Sequence, residues 1–298
     1  MTIVRLATLA DTAAVVDLYR SAKPALPYDA MTLYERWQEG GAWASIETCA
    51  VHLNRLLAGS GVPLVAEIDG QVLAEAEVYE SFEPAPFGHN LHIAGITTHA
   101  SHTSDDLAVA LLAYITEMAR LMKCDRITAA DQTARDFYLT HGFRHSRAGR
   151  GVHIPTQEGR AFYQATEHTD RNPDQVKGWH MQLGRYQSSR QEWDKLFPQD
   201  WAAGIPEVLN IATAHIKLTI TGQNAIIFLR ETDQVGEVNL AFWSARPLTN
   251  PLLSTLRDRV YRAGYHTIVT YVMEADLPLL GADIQQTPYH QELYELAI

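Results

Sequence analysis

One amphipathic helix between two strand-like runs constrains the fold of this chain most strongly. Apolar side chains recur at i, i+4, i+8 and i+11 over residues 107–122, namely Leu107, Ala108, Leu111, Leu112, Ile115, Met118, Ala119 and Met122. Such a stripe is about 100° wide and has to face a core. The flanking runs Leu91–Thr98 and Arg126–Ala130 have the length and side chains of strands. This segment therefore predicts an α/β fold.

The residues before this helix supply further strands and helices. Ile3–Ala7 is typical of a strand, and Thr8-Leu9-Ala10-Asp11 resembles an N-terminal capping box. A helical region follows over roughly residues 31–57. The Asp69-Gly70 pair stands between two apolar runs and predicts a hairpin, because both positions of its turn need a positive φ.

A polar, weakly periodic segment at residues 155–177 separates two halves with the same order of elements. Beyond it the sequence predicts a strand at Trp179–Tyr186, a helix from Ser189, and then a hairpin, a strand, a helix and two strands, at 221–224, 238–243, 251–263, 268–272 and 289–296. Identity between the halves is slight, so the repeat is one of architecture. We expect two domains, residues 1–154 and 178–298, joined by a linker at 155–177.

Composition excludes several classes of function. The chain has 24 Lys and Arg against 35 Asp and Glu, a net charge of -11, and so acidic a surface repels nucleic acid. No stretch approaches the roughly 18 apolar residues of a membrane helix, and the first residues lack the pattern of a secretion signal. The two cysteines, Cys49 and Cys124, exclude a disulfide framework or a thiolate zinc site. We expect a cytoplasmic protein with no nucleic-acid or membrane partner.

The segment that closes the first half carries the most specific motif. Its sequence is Asp131-Gln132-Thr133-Ala134-Arg135-Asp136-Phe137-Tyr138-Leu139-Thr140-His141-Gly142-Phe143. This is similar to Asn-x-x-Ala-x-x-Phe-Tyr-x-x-x-Gly-Phe of the GNAT N-acetyltransferase superfamily, with Asp131 in place of Asn. The order of elements also resembles that superfamily. The resemblance implies an α/β (α+β) protein of two GNAT-like domains, each with a mixed, mostly antiparallel central sheet flanked by helices.

The resemblance also implies acetyl-CoA as acyl donor and a small-molecule amine as acceptor. In the family, a loop of the form Arg/Gln-x-x-Gly-x-Gly/Ala holds the pyrophosphate at the start of the central helix, on backbone N–H groups and the helix dipole. The corresponding residues here are 103–108, with Thr103, Ser104 and Ala108 as candidate cofactor contacts. The preceding strand pairs with the pantetheine arm in the family. This role falls to Ile96, Thr97 and Thr98.

Both cofactor loops depart from the family's pattern. Asp105 and Asp106 stand where the first half would bind a pyrophosphate. Repulsion between each carboxylate and a phosphate charge would oppose binding by about 1 kcal/mol even in bulk water. Ordinary N-capping of the helix is the alternative reading of this loop. The loop of the second half, residues 244–251, also lacks the glycines. It has no acid in the first helical turn, and Arg246 and Asn250 are its candidate cofactor contacts.

Three side chains are candidates for the chemistry of acyl transfer. The resemblance assigns Tyr138 as general acid toward the CoA thiolate, and packing on the final strand is its alternative. Glu75 and Glu77 share one face of their strand. Glu75 is the candidate general base, although such a pair is also typical of the solvent-exposed face of a half-buried strand. His92 is the second candidate base, and the spacing of the nearby histidines does not support a metal site.

Two functions therefore stay open. The first is an acyl-CoA-dependent N-acyltransferase, for which the aromatic run of Tyr28, Tyr34, Trp37 and Trp43 would line the acceptor pocket, as that region does in the superfamily. Packing of helices against the sheet is the alternative role of these rings. The second function is a catalytically inactive GNAT-fold binding or structural protein that has lost acetyl-CoA binding. Neither the acceptor nor the oligomeric state follows from the sequence, and a homodimer is compatible with it.

Overall fold

The computed structural model describes residues 1–23, 25–102, 104–130, 134–160, 162–202, 204–220 and 222–298. Its strands are β1 (Thr2–Leu6), β2 (Val62–Ile68), β3 (Gln71–Phe82), β4 (His89–Thr98), β5 (Arg126–Ala129), β6 (Arg144–Pro155), β7 (Gln164–Glu167), β8 (His180–Leu183), β9 (Thr213–Ile220), β10 (Gln223–Glu231), β11 (Glu237–Ser244), β12 (Thr267–Met273) and β13 (Gln285–Ala297). Its helices are α1 (Thr12–Ser21), α2 (Leu33–Gly40), α3 (Ile46–Arg55), α4 (Asp106–Leu121), α5 (Arg135–Thr140), α6 (Ser189–Lys195), α7 (Pro206–Leu209) and α8 (Asn250–Arg262).

The strands form one continuous sheet. Its order is β1-β2-β3-β4-β5-β13-β6-β12-β11-β10-β9-β7, and β8 pairs with β11 off this path. The pairs β4–β5 and β11–β12 are parallel, and the other described pairs are antiparallel. The mixed, mostly antiparallel fold flanked by helices is thus confirmed. The sequence did not reveal that the sheets of the two halves are joined.

The two halves exchange a strand at the centre of the sheet. β13, the last strand of the chain, lies between β5 and β6, while β6 pairs with β12 as well as with β13. One carboxylate ties this region together. Glu295 on β13 accepts hydrogen bonds from Arg126 Nη1 at 2.9 Å, Arg144 Nη2 at 2.8 Å and Ser146 Oγ at 2.9 Å. Each half therefore completes its sheet with a strand from the other, and the division into residues 1–154 and 178–298 stays a prediction.

The first strand of the second half differs from the sequence-based expectation. β7, inside the segment predicted as a linker, pairs with β9 at the sheet edge, as β1 pairs with β2 at the opposite edge. Every residue of β7 is exposed, so no apolar periodicity marks it. The strand predicted at Trp179–Tyr186 corresponds to β8, which occupies a different position beside β11.

Helix α4 covers one face of the first half, as its apolar stripe predicts. Leu107, Leu111 and Ile115 are buried in one cluster with side chains of β2–β5. α8 has the same place in the second half, with its own buried cluster. Helices α1 and α3 cover the opposite face of β2 and β3. No helix among the described residues is long and apolar enough to cross a membrane.

Candidate functional site

Each half contains a pair of parallel strands in which one strand runs on past the paired residues, so that an edge is left beside it. β5 pairs with β4 along its whole length, Arg126–Ala129 against Asn90–Ile93, and β4 continues to Thr98 beyond the end of β5. We call the space beside this edge the first slot. In the second half, β11 and β12 pair only over Glu237–Asn239, and we call the corresponding space the second slot. The resemblance places the pantetheine arm in such a slot.

The second slot is filled by the chain itself. β8 pairs antiparallel with β11, with Leu183 opposite Phe242 and His180 opposite Ser244. β10 takes the other edge of β11 along its whole length, so β8 lies on the slot side. The N–H of Gly184 donates to the Tyr271 carbonyl of β12 at 2.8 Å. β8 is therefore held by both walls of the slot.

Gly184 permits this close approach. Its φ is +84°, and a Cβ at this position would lie 2.5 Å from the Cα of Ala241 on β11. Only glycine combines that left-handed backbone with that contact.

A side chain of β8 also reaches the loop before α8. Gln182 Oε1 accepts a hydrogen bond from the Leu248 N–H, and its Nε2 donates to Asp276 Oδ1 at 3.1 Å. That loop is where the family holds a pyrophosphate. The N-cap of α8 is Thr249, and Asn250 is the first helical residue. The cofactor contacts of Arg246 and Asn250 stay a prediction, and β8 and Gln182 occupy the strand edge and one N–H donor of this loop.

The first slot differs, because its strand edge is open. Beyond Ile93, β4 has β3 on one side and no strand of the described chain on the other. Ile96, Thr97 and Thr98, the predicted contacts of the pantetheine arm, lie in this stretch and are all partly exposed. The first slot is therefore the accessible candidate for an acyl-CoA site.

The loop at the start of α4 places two acids beside the first slot. Asp105 is the N-cap, Asp106 is the first helical residue, and both are exposed. Ser104 Oγ accepts from the Asp106 N–H at 3.2 Å, so this candidate contact is part of the helix start. Ala108 is buried, at 8% exposure. Thr103 lies outside the described residues.

Behind the first slot, two carboxylates lie on the face of β3 opposite to α4. Glu75 stands opposite Thr97, and Glu77 opposite Gly95, in the part of β4 that extends beyond the end of β5. Glu75 is 0% exposed, so this pair does not lie on a solvent-exposed face of the strand. The Tyr19 hydroxyl donates to Glu75 Oε2 at 2.7 Å, and Oε1 has no partner among the described residues.

The two carboxyl groups have pKa values shifted in opposite directions. Burial, and then the charge of Glu77, raises the pKa of Glu75 well above its usual range. Burial alone would raise the pKa of Glu77 too. However, His52 Nε2 lies 3.0 Å from Glu77 Oε1, and the Tyr79 hydroxyl donates to the same oxygen. These two interactions outweigh the effect of burial and lower the pKa of Glu77. Glu75 therefore keeps its proton to a higher pH than Glu77, which stays ionised, and the two carboxyl groups can differ in protonation state.

A cavity of about 350 Å³ opens beside this acidic pair. Helices α2 and α3 with β3 form one wall and α6, Trp201 and β10 the other, so both halves contribute. Trp37 stacks on Trp201 at 5.8 Å, and Trp43 meets His52 edge-on at 4.6 Å. Trp37 and Trp43, predicted for an acceptor pocket, line the cavity, whereas Tyr28 and Tyr34 do not.

The other two catalytic candidates are fully buried. His92 is 0% exposed and its Nδ1 lies 2.9 Å from Thr128 Oγ1. Burial, and then the charge of Arg185, lowers the pKa of His92 well below its usual range, so the ring is neutral but inaccessible. Tyr138 is 1% exposed and packs 5.1 Å from Phe143 and 6.2 Å from Tyr294 on the exchanged strand β13.

Several residues of the site were not found from the sequence. Tyr19 and His52 come from α1 and α3, far from β3 along the chain, and no motif links them. The detectable signal was that amphipathic helices precede β3. Such helices must cover one face of the sheet, and with it any carboxylate on that face.

The fold has two halves with the same order of strands and helices and one pair of parallel strands in each. Residues 13–143 match the model of the acetyltransferase (GNAT) family. None of the curated proteins matches the sequence at a significant level.

Several solved structures share the fold over nearly the whole chain. A GCN5-related N-acetyltransferase from Anabaena variabilis aligns at 11% identity and a TM-score of 0.63, over 99% of this chain and 72% of that one. A probable N-acyltransferase from Enterococcus faecalis aligns at 11% identity and a TM-score of 0.57, over 98% of this chain and 72% of that one. A tandem GNAT protein from the clavulanic acid biosynthesis pathway aligns at 14% identity and a TM-score of 0.50, over 100% of this chain and 98% of that one.

Proposed function

We propose that the protein is an acyl-CoA-dependent N-acyltransferase that uses the first slot for the acyl-CoA and transfers the acyl group to a small amine. The observation that carries the proposal is the difference between the two slots. The second is filled by β8, whereas in the first no strand of the described residues pairs with β4 beyond Ile93, the part of β4 that faces Glu75 and Glu77 on β3. The match of residues 13–143 to the model of the GNAT family supports the proposal.

The chemistry requires one proton acceptor and one proton donor. The amine nitrogen, in its neutral form, attacks the thioester carbonyl, so that a C–N bond forms and the C–S bond breaks. The proton lost by the amine passes through the Tyr19 hydroxyl to Glu75, and Tyr138 gives a proton to the thiolate. The products are the N-acyl amine and CoA, and the cycle is complete once Glu75 has lost the proton it gained and Tyr138 has regained the proton it gave. A carboxyl with a raised pKa suits the acceptor role.

Asp105 and Asp106 favour the second candidate, a GNAT-fold protein without catalysis. Acids in the first turn of α4 stabilise the empty helix and oppose a pyrophosphate. This candidate predicts no binding of CoA at all.

Calorimetric titration with acetyl-CoA separates the two candidates. We expect one site per chain, because β8 leaves only the first slot open. The matched control is the variant Gln182→Ala, which weakens the contacts of β8 and leaves the first slot intact, and it should bind the same single equivalent. Absence of binding would support the inactive protein, and two equivalents in the unmodified chain would contradict the filled second slot.

The variant Tyr138→Phe tests the general acid. We expect kcat to fall about 100-fold while the KM for acetyl-CoA stays unchanged, since the ring still packs on Phe143 and Tyr294 and only the hydroxyl is lost. The measurement is release of CoA with a thiol reagent. An unchanged kcat would leave Tyr138 as a packing residue, and Phe137→Leu serves as the control for a general loosening of α5.

A further inference from the structure

The cavity beside Glu77 carries a charge pattern that points to its occupant. Three cationic side chains line it, namely Arg55, Lys195 and Arg230. Arg55 Nη2 donates to the Asp194 carbonyl at 2.7 Å, and Lys195 Nζ donates to Glu192 Oε1 at 2.9 Å. The backbone of Arg230 is paired within the sheet, but its side chain has no hydrogen bond or ion pair with any residue that the structure describes. Two of the three cations are thus engaged and one is available.

An unpaired guanidinium in such a place requires explanation. Arg230 is only partly exposed, and burial, the dominant influence on it, lowers its pKa. A cation removed from water is costly unless an anion pairs with it. Arginine binds carboxylates through two parallel N–H donors. An anionic group of a ligand would therefore satisfy Arg230 in a way that this chain does not.

The same cavity presents groups that suit a cation. Glu77 is held in its ionised form by His52 and Tyr79, and it lines the cavity wall next to the first slot. Gln191 also lines the cavity, is 9% exposed, and its Oε1 has no partner among the described residues. This oxygen can only accept a hydrogen bond, so a ligand N–H or O–H is its natural partner.

We propose that the acceptor is a zwitterion of amino-acid type, with its carboxylate on Arg230 and its amine toward Glu77 and the first slot. The tryptophan walls, Trp37, Trp43 and Trp201, enclose its apolar part, and a volume of about 350 Å³ accommodates a molecule of amino-acid size. This inference rests on the proposed function. It adds that the second half, whose own slot is filled, supplies the carboxylate-binding wall of the acceptor site.

The test compares acceptors that differ in one charge. Acetyl-CoA is offered with the common L-amino acids, with their α-carboxamides and with spermidine, and release of CoA is measured. We expect at least one amino acid to exceed its own carboxamide about 100-fold in kcat/KM. Equal rates with amino acids and carboxamides, or a preference for spermidine, would overturn the proposal.

Variants of Arg230 test whether this residue causes the preference for an acceptor with a carboxylate. Arg230→Gln should reduce the ratio between an amino acid and its carboxamide to about 1, and Arg230→Lys should retain part of it. Lys217→Gln, which removes an exposed cation from neighbouring β9, should leave the ratio unchanged. An equal loss with both acceptors would mean that Arg230 is merely structural and would contradict the proposal. If Arg230→Gln does not fold, the comparison of acceptors in the unmodified protein decides alone.

Calorimetry with acetyl-CoA keeps the two proposals separate. A chain that binds no acetyl-CoA fails the proposed function. A chain that binds it and turns over amines without regard to their carboxylate keeps that function and fails only the present inference.

Discussion

The variant Glu83→Gln should lower the free energy of unfolding by about 3–5 kcal/mol. Glu83, just after β3, pairs with Arg185, just after β8, and the two side chains are 2% and 1% exposed. The Arg185 guanidinium also lies 3.6 Å above the Phe87 ring. Removing the carboxylate leaves a buried cation without its counter-charge, at a point that ties the first half to the strand filling the second slot.

Two further variants make this measurement specific. Glu274→Gln breaks the ion pair with Arg150, whose side chains are 43% and 33% exposed, and it should cost at most about 1 kcal/mol. Glu83→Leu combined with Arg185→Met removes both charges, and it should recover most of the loss because no buried charge is left unpaired. Urea denaturation measures all three. Equal losses for Glu83→Gln and Glu274→Gln would show that burial of the first pair has no energetic consequence.

The local parts of the fold could be predicted from the sequence. The stripe of α4 fixed which helix covers the first half, and the Asp69-Gly70 turn has the positive φ values, 50° and 80°, that its residue types indicate. The exchange of β6 and β13 could not be predicted. Alternation along a strand shows which face is buried, but it carries no information on which strand lies at either edge.

The candidate site was predictable to the same limited extent. The missing glycines of the loop before α8 suggested weakened cofactor binding, but nothing local indicated that β8 would fill the slot and that Gln182 would take the loop N–H. Glu75 and Glu77 were found as a pair on one face. Their burial depends on α1 and α3, and packing between elements distant in the chain does not appear in the pattern of a single strand.

Because Glu75 is buried, its protonation makes the stability of the folded protein depend on pH, and the sign of this dependence follows from the direction of the pKa shift. Its pKa in the folded protein lies above the ordinary value of 4.5, so the native state binds the proton more tightly than the unfolded chain does. The resulting stabilisation is fully present below pH 4.5 and is lost as the pH rises through the raised pKa. Glutamine carries no charge at any pH, and Glu75→Gln should therefore be at least as stable as the unmodified protein in alkaline solution.

Activity should change in the opposite direction. Glu75→Gln removes the proton acceptor that we propose, and we expect kcat/KM to fall at least about 100-fold without loss of acetyl-CoA binding. In the unmodified protein, the acidic limb of the pH profile should lie above the ordinary pKa of glutamate, because Glu75 acts only when it is ionised. Glu80→Gln, on the same strand but paired with His89, is the matched control and should keep both rate and profile. A profile unchanged in Glu75→Gln would assign the proton acceptor elsewhere, with His52 the next group to test because it lines the cavity and contacts Glu77.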